Sequence, residues 1–363
     1  MIYEDISSAG TSIWLDDLSR SKISGHDAHS LPSRVGKAGV VGVTTNPSIF
    51  NSAISKGTEY ANDIQSLRSS TVESVIQKLT TDDVRSACDL FADISRNSLD
   101  GRVSIEVDPR KAHETQATID EGVVLWKIIN RPNAMIKVPA TLEGLPAVTD
   151  LISRGISVNV TLIFSVDRYL QVIDAFISGL EIRASNGQEI ASVSSVASFF
   201  ISRIDTAVDE RLKANSSPKA KTLLGRAAIA NAAIAYEAFE NVLRSPRWKA
   251  LAKKGGHMQR PLWASTGVKD PAYEDTRYVI ELVAPHTVNT MPQATLDALL
   301  DHGNYRGENL SSTYERSHAI IAQLAEVGID LREVTTYLEL DGVNKFIASW
   351  EELLANVSQV MKS

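Results

Sequence analysis

The sequence predicts an α/β fold, a (β/α)8 barrel of the TIM type, in a single domain covering 1–363 with extra helices at about 309–363. Three observations predict it. Short apolar, β-branched runs alternate with longer helical stretches along the chain, the signature of parallel βαβ units. Eight such runs fit in this length, which suits a closed barrel better than an open doubly wound sheet. Polar residues stand at the C-terminal ends of nearly all eight, where such a barrel keeps its chemistry.

Taken in order, the strands are expected at 12–15, 40–44, 103–107, 134–138, 156–162, 191–198, 261–265 and 287–290. Several are almost continuously hydrophobic, as parallel strands covered by helices should be. Helical patterns lie between them, at 72–99, 113–129, 166–183, 219–243, 271–282 and 293–301, and two more helices follow the last strand. The strand ends read Asp16 and Asp17; Thr44, Thr45 and Asn46; Glu106 and Asp108; Lys137; Asn159 and Thr161; Ser194, Ser195 and Ser198; Ser265 and Thr266; Asn289 and Thr290. Acid, amide, lysine and hydroxyl groups in one ring argue for a polyhydroxylated ligand.

Composition excludes several function classes. Net charge is −7 and the basic residues are dispersed, so no nucleic-acid face is expected. An anionic ligand would need a local cationic pocket. The single cysteine, Cys88, cannot form an internal disulfide and reads as a packed thiol. No apolar stretch approaches the roughly 18–20 residues that cross a bilayer, and no signal peptide is visible, so a cytoplasmic protein without membrane partners is expected. The stretch from Gly36 to Gly42 has the wrong spacing for a dinucleotide loop and precedes its strand, against the doubly wound alternative. The seven histidines are scattered; His26 and His29 read as a solvated loop rather than metal ligands.

Lys137 is the sharpest clue. Strand alternation puts Met135, Lys137 and Pro139 on one face and Ala134, Ile136 and Val138 on the other. The second set suits the helices, so Lys137 points into the barrel. Burial in an apolar site favours the neutral amine that attacks a carbonyl. A lysine paired with Glu106 or Asp16 purely to satisfy the core is the equal alternative on strand pattern alone.

Gly42-Val43-Thr44-Thr45-Asn46-Pro47-Ser48-Ile49-Phe50 resembles the first signature of the transaldolase family, and Ala134 through Leu145 resembles the second, which surrounds a Schiff-base lysine. Ser12 to Asp17, Val103 to Asp108, Asn159 to Leu162 and Ser198 to Arg203 resemble further family segments, in family order. The segments around Trp14 and Trp263 look like the longer actinobacterial and plant branch. The resemblance implies transfer of a dihydroxyacetone unit from sedoheptulose 7-phosphate or fructose 6-phosphate to glyceraldehyde 3-phosphate or erythrose 4-phosphate, in the non-oxidative pentose phosphate pathway. It implies that Lys137 forms the imine and that Asp16 takes the C4 hydroxyl proton. Glu106, with Thr161, would hold a proton-shuttling water. Asn46 and Asn159, with Thr44 and Ser198, would bind the three-carbon hydroxyls. Phe200 would wall the pocket, and Arg203 and Ser265 would bind phosphate.

Each role has a competitor. Asn46 also reads as a turn residue before Pro47, Asp16 as a helix cap that Asp17 could equally provide, and Arg203 as a surface ion pair with Asp205 or Glu210. The chain departs from the better-known branch two positions after Ser265, where Gly267 replaces an arginine; Lys269 is the nearest substitute cation. No cofactor or metal is expected, because the imine is itself the electron sink. Sugar phosphates are the expected partners, with the protein a monomer or homodimer. Two other functions are weighed: a Schiff-base aldolase releasing free dihydroxyacetone, and a non-catalytic sugar-phosphate binder, which would be expected to lose Lys137, Asp16 or Glu106.

Overall fold

The computed structural model describes residues 1–307 and 310–362, the Lys56 side chain excepted. Two expected boundaries, Asn309 and Ser363, lie outside the described residues. Eight strands run β1 Thr11–Leu15, β2 Val40–Val43, β3 Arg102–Glu106, β4 Ala134–Pro139, β5 Val158–Ile163, β6 Ser195–Phe200, β7 Arg260–Ala264 and β8 Thr287–Met291. They are all parallel and close into a barrel in chain order. Strands β3, β4, β5, β6 and β8 are buried at every position, because helices cover one face and the barrel core the other. Ile136 illustrates the outer face: its Cγ2 would meet a Cβ at Gly122, on helix Thr115–Ile129, at 3.4 Å. Lys137 follows it and points the opposite way. Gly42 on β2 is fixed by contact, since a Cβ there would sit 2.5 Å from the buried Trp14 indole.

All eight expected strands are present, but β6 lies later than the expected 191–198. Glu189 accepts from the Ser192 amide at 2.7 Å and its hydroxyl at 2.8 Å, and this turn keeps 191–194 out of the barrel. The helical stretch 72–99 divides into Val72–Leu90 and Ala92–Asn97. That at 219–243 divides into Pro218–Lys221 and Ala227–Arg244, around Gly225 with φ +67°. Of 271–282 only Arg277–Ile280 is helical, because Asp270 caps Ala272 in a turn and the Tyr273 hydroxyl is held by Asp209.

The N-terminal rim of the barrel carries a polar network. Asp100 accepts from Ser12 Oγ (2.8 Å), Trp14 Nε1 (3.1 Å) and Arg260 Nη2 (2.6 Å). The Thr11 and Thr287 hydroxyls lie 2.8 Å apart, and both stand within hydrogen-bond distance of the Ala284 carbonyl.

Across the opposite, C-terminal mouth runs the long helix Leu331–Lys362. It is pinned on both sides: Glu339 pairs with Arg168 at 3.2 Å, Ser349 meets Ser48 at 2.8 Å, and Asn356 donates to Asn51 at 2.8 Å. Gly342 lets it descend onto β5, since a Cβ there would lie 3.0 Å from Leu162 Cδ2. Leu162 itself has φ +61°, and the β5–β6 register shifts between Val160 and Ile163, a bulge at the rim of the kind that re-aims side chains. Helix Tyr314–Glu326 packs instead beside Ala227–Arg244, through Tyr314 to Glu240 and His318 to Glu237. Among the described residues no helix is long and apolar enough to cross a membrane.

Candidate active site

Strand register brings Glu106 of β3, Lys137 of β4 and Asn159 of β5 side by side. The Lys137 Nζ donates to the Thr45 carbonyl at 2.9 Å and lies 3.4 Å from Glu106 Oε2. Both side chains are buried, at 5% and 4% exposure. Burial pushes the Glu106 carboxyl up to about 7, although the Lys137 ammonium pulls the other way. A carboxyl poised there both takes and gives protons at neutral pH. Among the described residues its second oxygen, Oε1, has no partner, and neither does the buried Thr161 hydroxyl on the same face of β5. A pure core-satisfying ion pair would not leave such atoms bare, because an unmatched buried polar atom costs roughly 1–3 kcal/mol.

Asp16, just past β1, accepts from Thr44 Oγ1 at 2.6 Å, and Thr44 shares a 2.7 Å contact with Thr290. Thr44 is therefore committed to the carboxylate beside it. Asp16 keeps an open edge on a cleft of about 670 Å³ that Asn46, Lys22 and Gln293 also line. Protein surrounds it on its other sides, and that burial raises its carboxyl, against Lys137 and Thr44, which lower it. Neither Asp16 nor Asp17 caps the next helix. Ser19 caps Arg20–Ser24, and Asp17 pairs with Lys22 at 2.9 Å. Asn46 does cap helix Pro47–Lys56, its Oδ1 accepting from Ile49 N at 3.0 Å, which leaves the amide Nδ2 to face outward chemistry. Asn159 is held twice, donating to Ser104 at 3.0 Å and accepting from Ser198 at 2.7 Å. Asp108 is consumed by the fork of Arg110.

Arg203 stands in the first turn of helix Ser202–Ala214, with its guanidinium 5.4 Å from the centre of the Phe200 ring. It makes no ion pair with Asp205 or Glu210 among the described residues; Asp205 is occupied by the Tyr278 hydroxyl and the Ala228 amide. Its Nη1 is buried without a partner among the described residues, and burial lowers the guanidinium pKa. Ser265, in left-handed backbone at φ +56°, faces Ser202 Oγ at 3.0 Å. Lys269 is exposed and borders a separate cavity of about 470 Å³ that reaches Ser202. A side chain at Gly267 would start 3.3 Å from Pro292, so the loop after β8 occupies that space.

The structure thus gathers Asp16, Thr44, Asn46, Glu106, Lys137, Asn159, Thr161 and Ser198 around one mouth, with Phe200, Arg203 and Ser265 on its β6–β7 side and Lys269 furthest out. The strand-by-strand reading missed Phe346. From the last helix its ring covers Lys137, 5.5 Å from Nζ to ring centre. The available signal was Gly342, a glycine inside a long helical pattern, which marks a close approach.

Residues 13–357 match the family described as Transaldolase/Fructose-6-phosphate aldolase. The chain is 52% identical to the transaldolase of Saccharopolyspora erythraea over 358 residues, 98% of this chain and 96% of that one. It is likewise 52% identical to that of Renibacterium salmoninarum, covering 99% and 96%, and to that of Mycolicibacterium smegmatis, covering 96% and 94%.

Proposed function

The chain belongs to the transaldolase/fructose-6-phosphate aldolase family and acts as a transaldolase, and from that premise we propose how its own residues divide the reaction. Lys137 adds to the C2 carbonyl of a ketose phosphate. Glu106 moves protons through a water seated between its bare oxygen and Thr161 as the carbinolamine forms and dehydrates. The protonated imine draws in the C3–C4 electron pair. Asp16, oriented by Thr44, takes the proton from the C4 hydroxyl, and an aldose phosphate leaves. The enamine left on Lys137 then adds to the aldehyde of a second aldose phosphate, and the same steps run backwards.

Asn46, Asn159 and Ser198 bind the hydroxyls of the three-carbon unit. Arg203, carried on Phe200, binds the phosphate with Ser265, and Lys269 contributes from the edge. The imine supplies the electron sink, so no metal or organic cofactor enters the scheme. The protein works in the cytoplasm on sugar phosphates, as a monomer or homodimer, in one domain whose last helix completes the mouth.

One observation carries this reading: a buried amine beside a carboxyl held near neutrality, both at the C-terminal ends of barrel strands. Borohydride reduction with fructose 6-phosphate, followed by peptide mass mapping, tests it. The expected adduct is a three-carbon unit on Lys137. An adduct on another lysine, or none, overturns the assignment.

A further inference from the structure

We propose that Phe346, on the last helix, decides whether the three-carbon unit is handed to an acceptor or set free. The inference rests on Lys137 as the imine lysine. After C3–C4 cleavage, Lys137 holds an enamine whose C3 carries the reactive electron pair. In transfer, that pair forms a bond to the aldehyde carbon of an aldose phosphate. In release, it forms a C3–H bond instead, and an O–H bond of water breaks. Water then adds to C2 of the resulting iminium ion, and Lys137 leaves as the amine while dihydroxyacetone departs. The water consumed at C2 replaces the one lost when the imine formed, so release needs no further reactant. Only the access of a proton to C3 separates the two outcomes.

The surroundings of Lys137 are sharply divided. Below it are groups that exchange protons, Glu106 and Asp16. On the side of the last helix it meets an aromatic ring. The Phe346 ring lies over Nζ at 5.5 Å and is 5% exposed. Phe164 and Phe200 continue this wall, their ring centres 5.2 Å apart, and Leu162 fills the corner beneath Gly342. None of these can donate a proton to carbon. An apolar roof on this side limits the approach of bulk water to a reactive intermediate, and an aromatic face also favours the cationic amine and imine under it. Anchors at Glu339, Ser349 and Asn356 hold the helix across the mouth on both sides of Phe346, and the ring itself is packed in the core.

The test compares Phe346→Ala and Phe346→Leu with the unaltered enzyme. Each is given fructose 6-phosphate with and without erythrose 4-phosphate, and the readout is dihydroxyacetone released per transfer. The ratio is internal to the folded molecules, so partial unfolding does not mimic the effect. Phe346→Ala should raise the ratio by on the order of tenfold or more, and Phe346→Leu, which keeps most of the volume, by less. In deuterium oxide the released dihydroxyacetone should carry one deuterium on carbon. If the ratio is unchanged in both variants while kcat falls, Phe346 only packs and the proposal is overturned. Borohydride trapping on the unaltered enzyme separates the two failures. An adduct on Lys137 with an unchanged ratio sinks this inference alone, whereas no adduct sinks the imine assignment beneath it.

Discussion

The two rims of the barrel use similar residues and leave them in opposite states. At the N-terminal rim Asp100 is matched by Arg260, Trp14 and Ser12, and Arg102 spends its guanidinium on the Leu99 and Pro132 carbonyls. At the C-terminal rim Glu106 has a bare oxygen and Arg203 a bare nitrogen, both buried. Single neutral atoms without partners, Ser194 Oγ and Gln259 Oε1, occur at the lower rim too. The informative difference is that at the C-terminal rim the bare atoms belong to ionisable groups gathered around Lys137 and Arg203. Such groups are expensive to bury, and they persist where a ligand completes them.

That contrast can be broken from either side. Asp100→Ala should have the largest effect on stability, about 3–4 kcal/mol, because it strands Arg260 and the Trp14 indole. Urea unfolding would measure it, and turnover per folded molecule should stay unchanged. A tenfold loss of turnover would mean that the rims are not separable. Arg203→Ala should do the reverse, lowering kcat/KM for fructose 6-phosphate by about 2–4 kcal/mol while sparing donors that lack phosphate. Equal loss on both donor types would make Arg203 structural.

Glu106→Gln sharpens the contrast through pH. The folded carboxyl titrates near 7 rather than at its usual 4.5, so the folded state binds the extra proton between those values. Stability contributed by this group is thus lost as pH rises from 4.5 to 7, and the loss is constant above. The glutamine variant should therefore match the parent at pH 4 and exceed it at pH 8 by roughly 1–3 kcal/mol, while transfer activity collapses. Melting curves that stay parallel across this range would refute it. Lys269→Ala should be the smallest effect, a few-fold in KM for phosphorylated donors at about 0.5 kcal/mol, since an exposed cation is screened. No change in KM would leave the phosphate to Arg203, Ser265 and backbone amides.

Much of this was legible in the amino-acid order because the barrel imposes simple periods. Two-residue alternation placed Lys137 inside and Ile136 outside, and β-branched runs marked all eight strands. β6 was misplaced because an apolar run, Ile190 to Val193, is claimed by the Glu189–Ser192 turn, a side-chain bond that periodicity does not register. Hydrogen-bond allegiance was equally hidden. Asn46 is both a capping residue and a neighbour of the cleft, and Thr44 serves Asp16. Phe346 was out of reach for a different reason. Its partner lies in another part of the chain, and only Gly342 hinted at the approach.

Chain order gives the helix over the mouth one more consequence. Every other residue of the site precedes Phe346 in the chain, and a single domain folds as a unit. The ring over Lys137 is therefore in place only when the helix Leu331–Lys362 has docked, so the finished site reports on the folding of the whole domain.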